Sequence, residues 1–151
     1  MKAPVFAVLV VALILSACGG RTDRGTPVAR TDEIPGAWLT ANGSWEVRLD
    51  WETGPRAGTV DNVARLVITP RHDAKNPPQQ VQVTPWMTIH GHGAGNVRPV
   101  IETVDGNPGS WRTWRVSNIY FVMSGPWDLK IAIFSDGVTD NVVVPVDVPR
   151  Q

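Results

Sequence analysis

Along most of the chain apolar and polar residues alternate with a period of two. Trp45, Val47, Leu49 and Trp51 interleave with Ser44, Glu46, Arg48 and Asp50, which predicts a strand with one buried face. Thr53-Gly54-Pro55 through Gly58 predicts a turn, and Val63 to Thr69 a second strand closed by Pro70. Arg71 to Gln80 carries Pro77-Pro78 and predicts a loop. Val81 and Val83 predict a short third strand stopped by Pro85, and Val97 to Val104 a fourth, ended by Asp105-Gly106-Asn107-Pro108-Gly109. Trp111 to Val122 predicts a fifth. Trp127, Leu129, Ile131 and Ile133 alternate with Asp128 and Lys130 in a sixth, and Ser135-Asp136-Gly137 turns the chain into a seventh, where Val142, Val144, Val146 and Val148 alternate. No segment after the leading apolar run has helical periodicity over three turns. Short strands punctuated by Gly and Pro predict an all-β fold, an antiparallel sandwich of about seven strands and immunoglobulin-like size. A barrel is the alternative.

The N-terminus breaks this pattern. Lys2 is followed by an unbroken apolar run, Val5 to Leu15, too short for the roughly 20 residues of a membrane-spanning helix and suited to the core of an export signal. The run ends in Leu15-Ser16-Ala17-Cys18, which resembles a bacterial lipobox, where the cysteine is lipidated and becomes the new N-terminus. The competing reading is an ordinary secretory signal with a chance cysteine, but the only Cys of the chain lies where the apolar run stops. Several acyl chains on one residue anchor stably, since each buried methylene contributes about 0.8 kcal/mol and one chain alone is marginal. Gly19 rather than Asp follows the cysteine, which by resemblance to Gram-negative sorting rules favours the outer membrane over the inner, facing the periplasm. Gly19 to Ala37 has Gly, Pro, Thr and mixed charge without period and reads as a flexible tether, at most about 60 Å long. The expected organisation is a signal peptide over 1–17, a lipidated N-terminus and linker over 18–37, and a β-sandwich domain over 38–151.

Composition narrows the function classes. Lys and Arg number 14 against 14 Asp and Glu, so no net positive charge favours nucleic acid as a partner, and Arg112 and Arg115 around Trp114 make too sparse a basic patch. A single Cys excludes an intrachain disulfide framework and a cysteine-rich zinc site. Of the 151 residues 42 % are hydrophobic, enough for one domain to bury a core. Glu102, Asp105, Asp136 and Asp140 offer carboxylates, but no spacing singles out an acid/base pair, and no nucleophile elbow, zinc-protease motif or phosphate loop is present. The expectation is a protein that does not catalyse a reaction.

The candidate chemistry lies between two strands, in Pro85-Trp86-Met87-Thr88-Ile89-His90-Gly91-His92-Gly93. It holds two of the three histidines. Met123 lies in a second turn, Phe121-Val122-Met123-Ser124-Gly125-Pro126-Trp127. Thioether is soft and suits Cu(I), while imidazole serves both copper oxidation states. In an extended chain His90 and His92 point to the same side. The competing reading is a solvated turn, with Met87 and Met123 as core filler. His72, between Arg71 and Asp73 in the Pro-rich loop, reads as surface.

These residues resemble the YtkA-like domain, related to FixH-type proteins, which shows a Met-Pro-x-Met-Gly-His-Gly loop and, about thirty residues on, a Phe-x-Met-x-Gly-x-Trp turn. Met87, Gly91 and His92-Gly93 stand at the corresponding places of the first motif, and Phe121, Met123, Gly125 and Trp127 match the second. Thr88 replaces the proline, and His90 replaces the second Met, which exchanges a thioether for an imidazole. The resemblance spans Trp45 to Val146 and implies an exported β-sandwich with a role in copper handling. On it, the expected ligand set is Met87, His90, His92 and Met123, holding Cu(I) in preference to Cu(II). The expected partners are the membrane, through Cys18, and a cuproprotein such as a respiratory oxidase, which would receive the metal. The alternative is a non-metal interaction module that binds an envelope protein through Trp86 and Trp127, aromatic anchors of the kind enriched in binding hot spots. Core packing is the preferred reading of Trp127.

The anchor yields the first prediction. Cys18→Ser removes incorporation of a labelled fatty acid and leaves the precursor unprocessed; equal labelling of wild type and variant would refute the lipobox.

Overall fold

The computed structural model describes residues 36–71, 77–107 and 111–150. Cys18, the signal, nearly all of the tether, and His72 lie outside the described residues. Among the described residues nine strands follow one another: β1 (Ala37–Leu39), β2 (Trp45–Thr53), β3 (Asn62–Pro70), β4 (Gln80–Met87), β5 (His92–Gly93), β6 (Val100–Asn107), β7 (Trp111–Ile119), β8 (Gly125–Ser135) and β9 (Val138–Val148). They form two antiparallel sheets, one ordered β1-β2-β3-β7-β6 and one ordered β5-β4-β8-β9. The described residues contain no helix. The fold is the expected β-sandwich and not a barrel, since no ladder between named strands joins the two sheets. Without the short β1 and β5, the order β2-β3-β7-β6 against β4-β8-β9 is the four-plus-three arrangement of a constant-type immunoglobulin domain.

The alternation of apolar residues explains why the sheets stack. Val47, Leu66, Ile68, Val116 and Ile119 project inward from the larger sheet; Val81, Val83, Leu129, Ile131, Ile133, Val142 and Val144 project inward from the smaller one. On β8 every second residue from Trp127 to Ile133 is buried, as its sequence pattern predicts. Asp136 and Gly137 take φ of 49° and 76° and join β8 to β9 at Ser135↔Val138, the two-residue hairpin that Asp-Gly favours.

Strand ends differ from the sequence reading where tertiary pairing intervenes. Ala37, placed at the end of the tether, is buried and pairs with Arg48 in β1. Pro85 does not stop β4, because a residue without N–H is tolerated on a flank that lacks a ladder partner. β6 starts at Val100, after Pro99, and runs through Asn107. β7 stops at Ile119 rather than Val122, next to Asn118 at φ 57°. Phe121 then makes only an isolated bridge with Ala57.

Two buried polar side chains tie loops to this frame. Asn62 is fully buried; its Oδ1 accepts from the Arg56 N–H at 2.7 Å, and its Nδ2 donates to the carbonyls of Arg56, Thr59 and Ile119. Asp140 Oδ1 accepts from the N–H groups of Asn42 and Asn141. With the bond from the Ala41 N–H to the Asn141 carbonyl, this clasps the β1–β2 turn onto β9 across the two sheets.

Leu129 is wholly buried whereas its neighbour Lys130 is exposed, its Nζ 4.4 Å from the Trp86 ring centroid. Leu129→Ala is expected to cost about 2–5 kcal/mol, and Lys130→Ala no more than about 1 kcal/mol, the scale of an exposed cation–π contact. Chemical denaturation of the two variants checks the strand register.

Candidate functional site

The strand pairing brings the two motif segments to one end of the sandwich. β4 ends at Met87, whose carbonyl accepts from the N–H groups of His90 at 3.2 Å and Gly91 at 2.9 Å. This closes the tight Thr88–Gly91 turn, where Gly91 adopts φ 68°. The chain then returns as β5, pairing Met87↔His92 and Trp86↔Gly93. On the other flank of β4, Trp86 pairs with Asp128 of β8, so the start of β8 and the turn before it lie beside the hairpin. The Thr88 hydroxyl donates to Asp128 Oδ2, a contact that the sequence reading did not foresee.

His90 sits in the turn and His92 in β5, and their rings meet with centroids 5.8 Å apart and planes tilted by 30°. A metal–nitrogen bond of about 2.0 Å places an ion about 3.2 Å from an imidazole centroid. A spacing of 5.8 Å is therefore one that two imidazoles on a shared ion can adopt. His92 Nδ1 lies 3.0 Å from the Gly93 carbonyl oxygen, which only accepts, so Nδ1 carries the proton of that bond. In the neutral ring Nε2 is then the lone-pair nitrogen. This is the orientation that a carbonyl partner commonly imposes on a metal-binding histidine.

The methionines occupy different surroundings. Met87 is 2 % exposed and belongs to the core cluster. Its Cε lies against Gly125, where an added Cβ would come to 3.3 Å. Met123 is 42 % exposed and is no core filler. Its carbonyl accepts from Trp127 Nε1 at 3.0 Å, which holds the second turn down on the core. Trp127 is 1 % exposed, as the core reading of that residue requires. Its ring contacts Phe121 edge-on at 5.3 Å and His92 edge-on at 6.1 Å. Trp86 is instead half-buried beneath Lys130 on the outer face of the smaller sheet.

Among the described residues no group of three or more His, Cys, Asp or Glu is placed to hold a metal ion. A shell built on His90 and His92 would have to be completed by thioether, backbone oxygen or solvent. Of these donors only thioether favours a soft ion; backbone oxygen and solvent are hard ligands. Two of the carboxylates considered for catalysis lie in different sheets: Glu102 is on β6 near Arg115, and Asp140 is buried on β9. Asp136 is exposed in the β8–β9 turn, where its Oδ1 accepts from Gln79.

Gly125 has φ 122°, a backbone region that side chains other than glycine enter only under strain, and its Cα faces the Met87 methyl. Gly125→Ala is expected to destabilise the fold by about 1–3 kcal/mol and to shift the Met87 methyl resonance in NMR spectra. An unmoved methyl signal would contradict this packing. In comparison with known proteins, no family model, curated protein or solved structure matches the chain.

Proposed function

We propose that this protein is a lipid-anchored, extracytoplasmic copper-binding domain that holds Cu(I) or passes it to a cuproprotein such as a respiratory oxidase, without catalysing a reaction. The observation that carries the reading is the His90–His92 pair, 5.8 Å between ring centroids, with His92 Nδ1 engaged by Gly93. Met87 and Met123 stand on the two segments that meet through Gly125 and Trp127, and they supply the soft donors. The likeness of both segments to YtkA-like motifs supports the same conclusion, and the lipobox at Cys18 supports an address at the membrane facing the periplasm, the outer membrane in a Gram-negative host.

Each residue has a role in this reading. His90 and His92 bind through neutral nitrogen, so protons compete with the metal and binding weakens on acidification. The thioethers favour the reduced ion. Met123 is exposed, which puts one soft ligand within reach of an incoming acceptor. Transfer is then an exchange of ligands between two proteins, with no change of oxidation state.

The test is competitive metal binding by the mature protein, with copper and zinc offered together under reducing conditions. Cu(I) is expected to be retained over zinc. His90→Ala with His92→Ala removes most binding at neutral pH. Met87→Leu with Met123→Leu conserves core volume and weakens Cu(I) far more than Cu(II), with melting midpoints as the control for folding. A double histidine variant that binds copper as tightly as wild type would overturn the reading in favour of a non-metal interaction module.

A further inference from the structure

A free strand edge lies on the same side of the molecule as the hairpin. One flank of β4 pairs with β8 from Gln80 to Trp86. The other flank pairs with β5 only at Trp86 and Met87. Gln80 to Pro85 are therefore an edge without a ladder, and among the described residues no backbone hydrogen bond reaches them from residues 94–99. Six residues of strand present about 20 Å of main-chain donors and acceptors.

Such edges are normally blunted by charge, brevity, a bulge or a cover. The other edges of this sandwich are. β1 has three residues. β6 carries Glu102 and a register shift between Thr103 and Asp105. β9 is met by the β1–β2 turn through Asp140 and Asn141. β4 carries no charged residue, and its ladder with β8 runs without a shift. Among the described residues its one guard is Pro85, at one end.

This edge also forms one wall of a groove of about 540 Å³, whose opposite wall is the chain from Val97 to Ile101. Gln82, Thr84, Trp86 and His92 line it, and Arg98 is the one Lys or Arg in the lining. Arg98 is exposed, and its Nη1 donates to the Gly95 and Val97 carbonyls. No carboxylate pairs with it among the described residues.

We propose that this groove takes an extended segment of a partner protein as an added strand, continuing along Gln80–Pro85 the lane that β5 begins, with a carboxylate of that segment on Arg98. Main-chain hydrogen bonds to β4 would supply the attachment and Arg98 the charge preference. A groove admits one strand. A second copy of this protein would bring its own Val97–Ile101 wall into the same lane. The N-terminal tether joins the domain through β1, which lies at the far edge of the other sheet. The inference does not depend on copper, although a docked strand would end beside His92.

The test uses the full mature chain in detergent and a synthetic octapeptide of alternating Thr and Val with one central Glu. Hydrogen exchange at the amides of residues 80–84 is followed by NMR as peptide is added. The expected result is slowed exchange there. Replacing Glu by Lys in the peptide should weaken binding about fivefold, the scale of an exposed ion pair, and Arg98→Glu should reverse the preference. Unchanged exchange at millimolar peptide would overturn the proposal, as would equal binding of a peptide N-methylated at alternate residues. Protection without peptide that rises with protein concentration would assign the edge to a second copy. Protection without peptide that disappears when residues 19–35 are removed would assign it to the tether. Either result also overturns the proposal.

Discussion

An indole buried in a sandwich core has to place its N–H, because an unsatisfied donor in that setting costs about 1–3 kcal/mol. Trp127 meets the requirement with the Met123 carbonyl, and much of the molecule's candidate chemistry is arranged by that one bond. The bond folds the 121–125 segment back over the end of the core. It seats Phe121 in a T-shaped contact with the ring and brings Gly125 over the Met87 methyl. The same ring also meets His92, with centroids 6.1 Å apart and planes at 77°. Core and candidate site thus share a residue, and the hairpin that carries the histidines is braced by two fully buried aromatic rings, Phe121 and Trp127.

Polar groups finish what apolar packing begins. Asn62 holds the 54–62 loop by satisfying three carbonyls and one N–H, and it fills the space that a side chain on Gly54 would need: an added Cβ there would come to 2.2 Å from Asn62 Oδ1. Asp140 does the corresponding work between the sheets, on the flank where β1 approaches β9. The result is an asymmetric sandwich. One flank is clasped, while the other has a short hairpin at one end and a groove along the rest of β4.

The sandwich was legible in the sequence because strands with one buried face write their period into composition. The seven strands foreseen from alternation are all present, and the Asp136-Gly137 turn has the conformation its residues favour. The candidate site was legible as two motifs but not as a geometry. Nothing in the spacing of Met87 and Met123 says that one is sealed in the core and the other is open to solvent. Likewise the proximity of His90 and His92 comes from a closed turn and not from one extended strand. Asp128, Asn62 and Asp140 each have a partner 40, 57 or 98 residues away, and no local pattern announces those contacts.

What the sequence determined by itself was therefore local and repetitive: the fold class, the inward faces, the breaks at Gly and Pro, and two short segments, one with Met87, His90 and His92 and one with Met123. Hydrophobic period and turn chemistry act over a few residues, so they can be read without knowing what lies opposite. Only the tertiary structure decided which segments became neighbours and which strand edge was left without a partner. It also decided how far strands ran past residues such as Pro85, which stops a strand only where a ladder needs its missing N–H. Those outcomes depend on pairings distant in the chain, where a donor or an apolar face is satisfied by whatever the folded topology delivers to it.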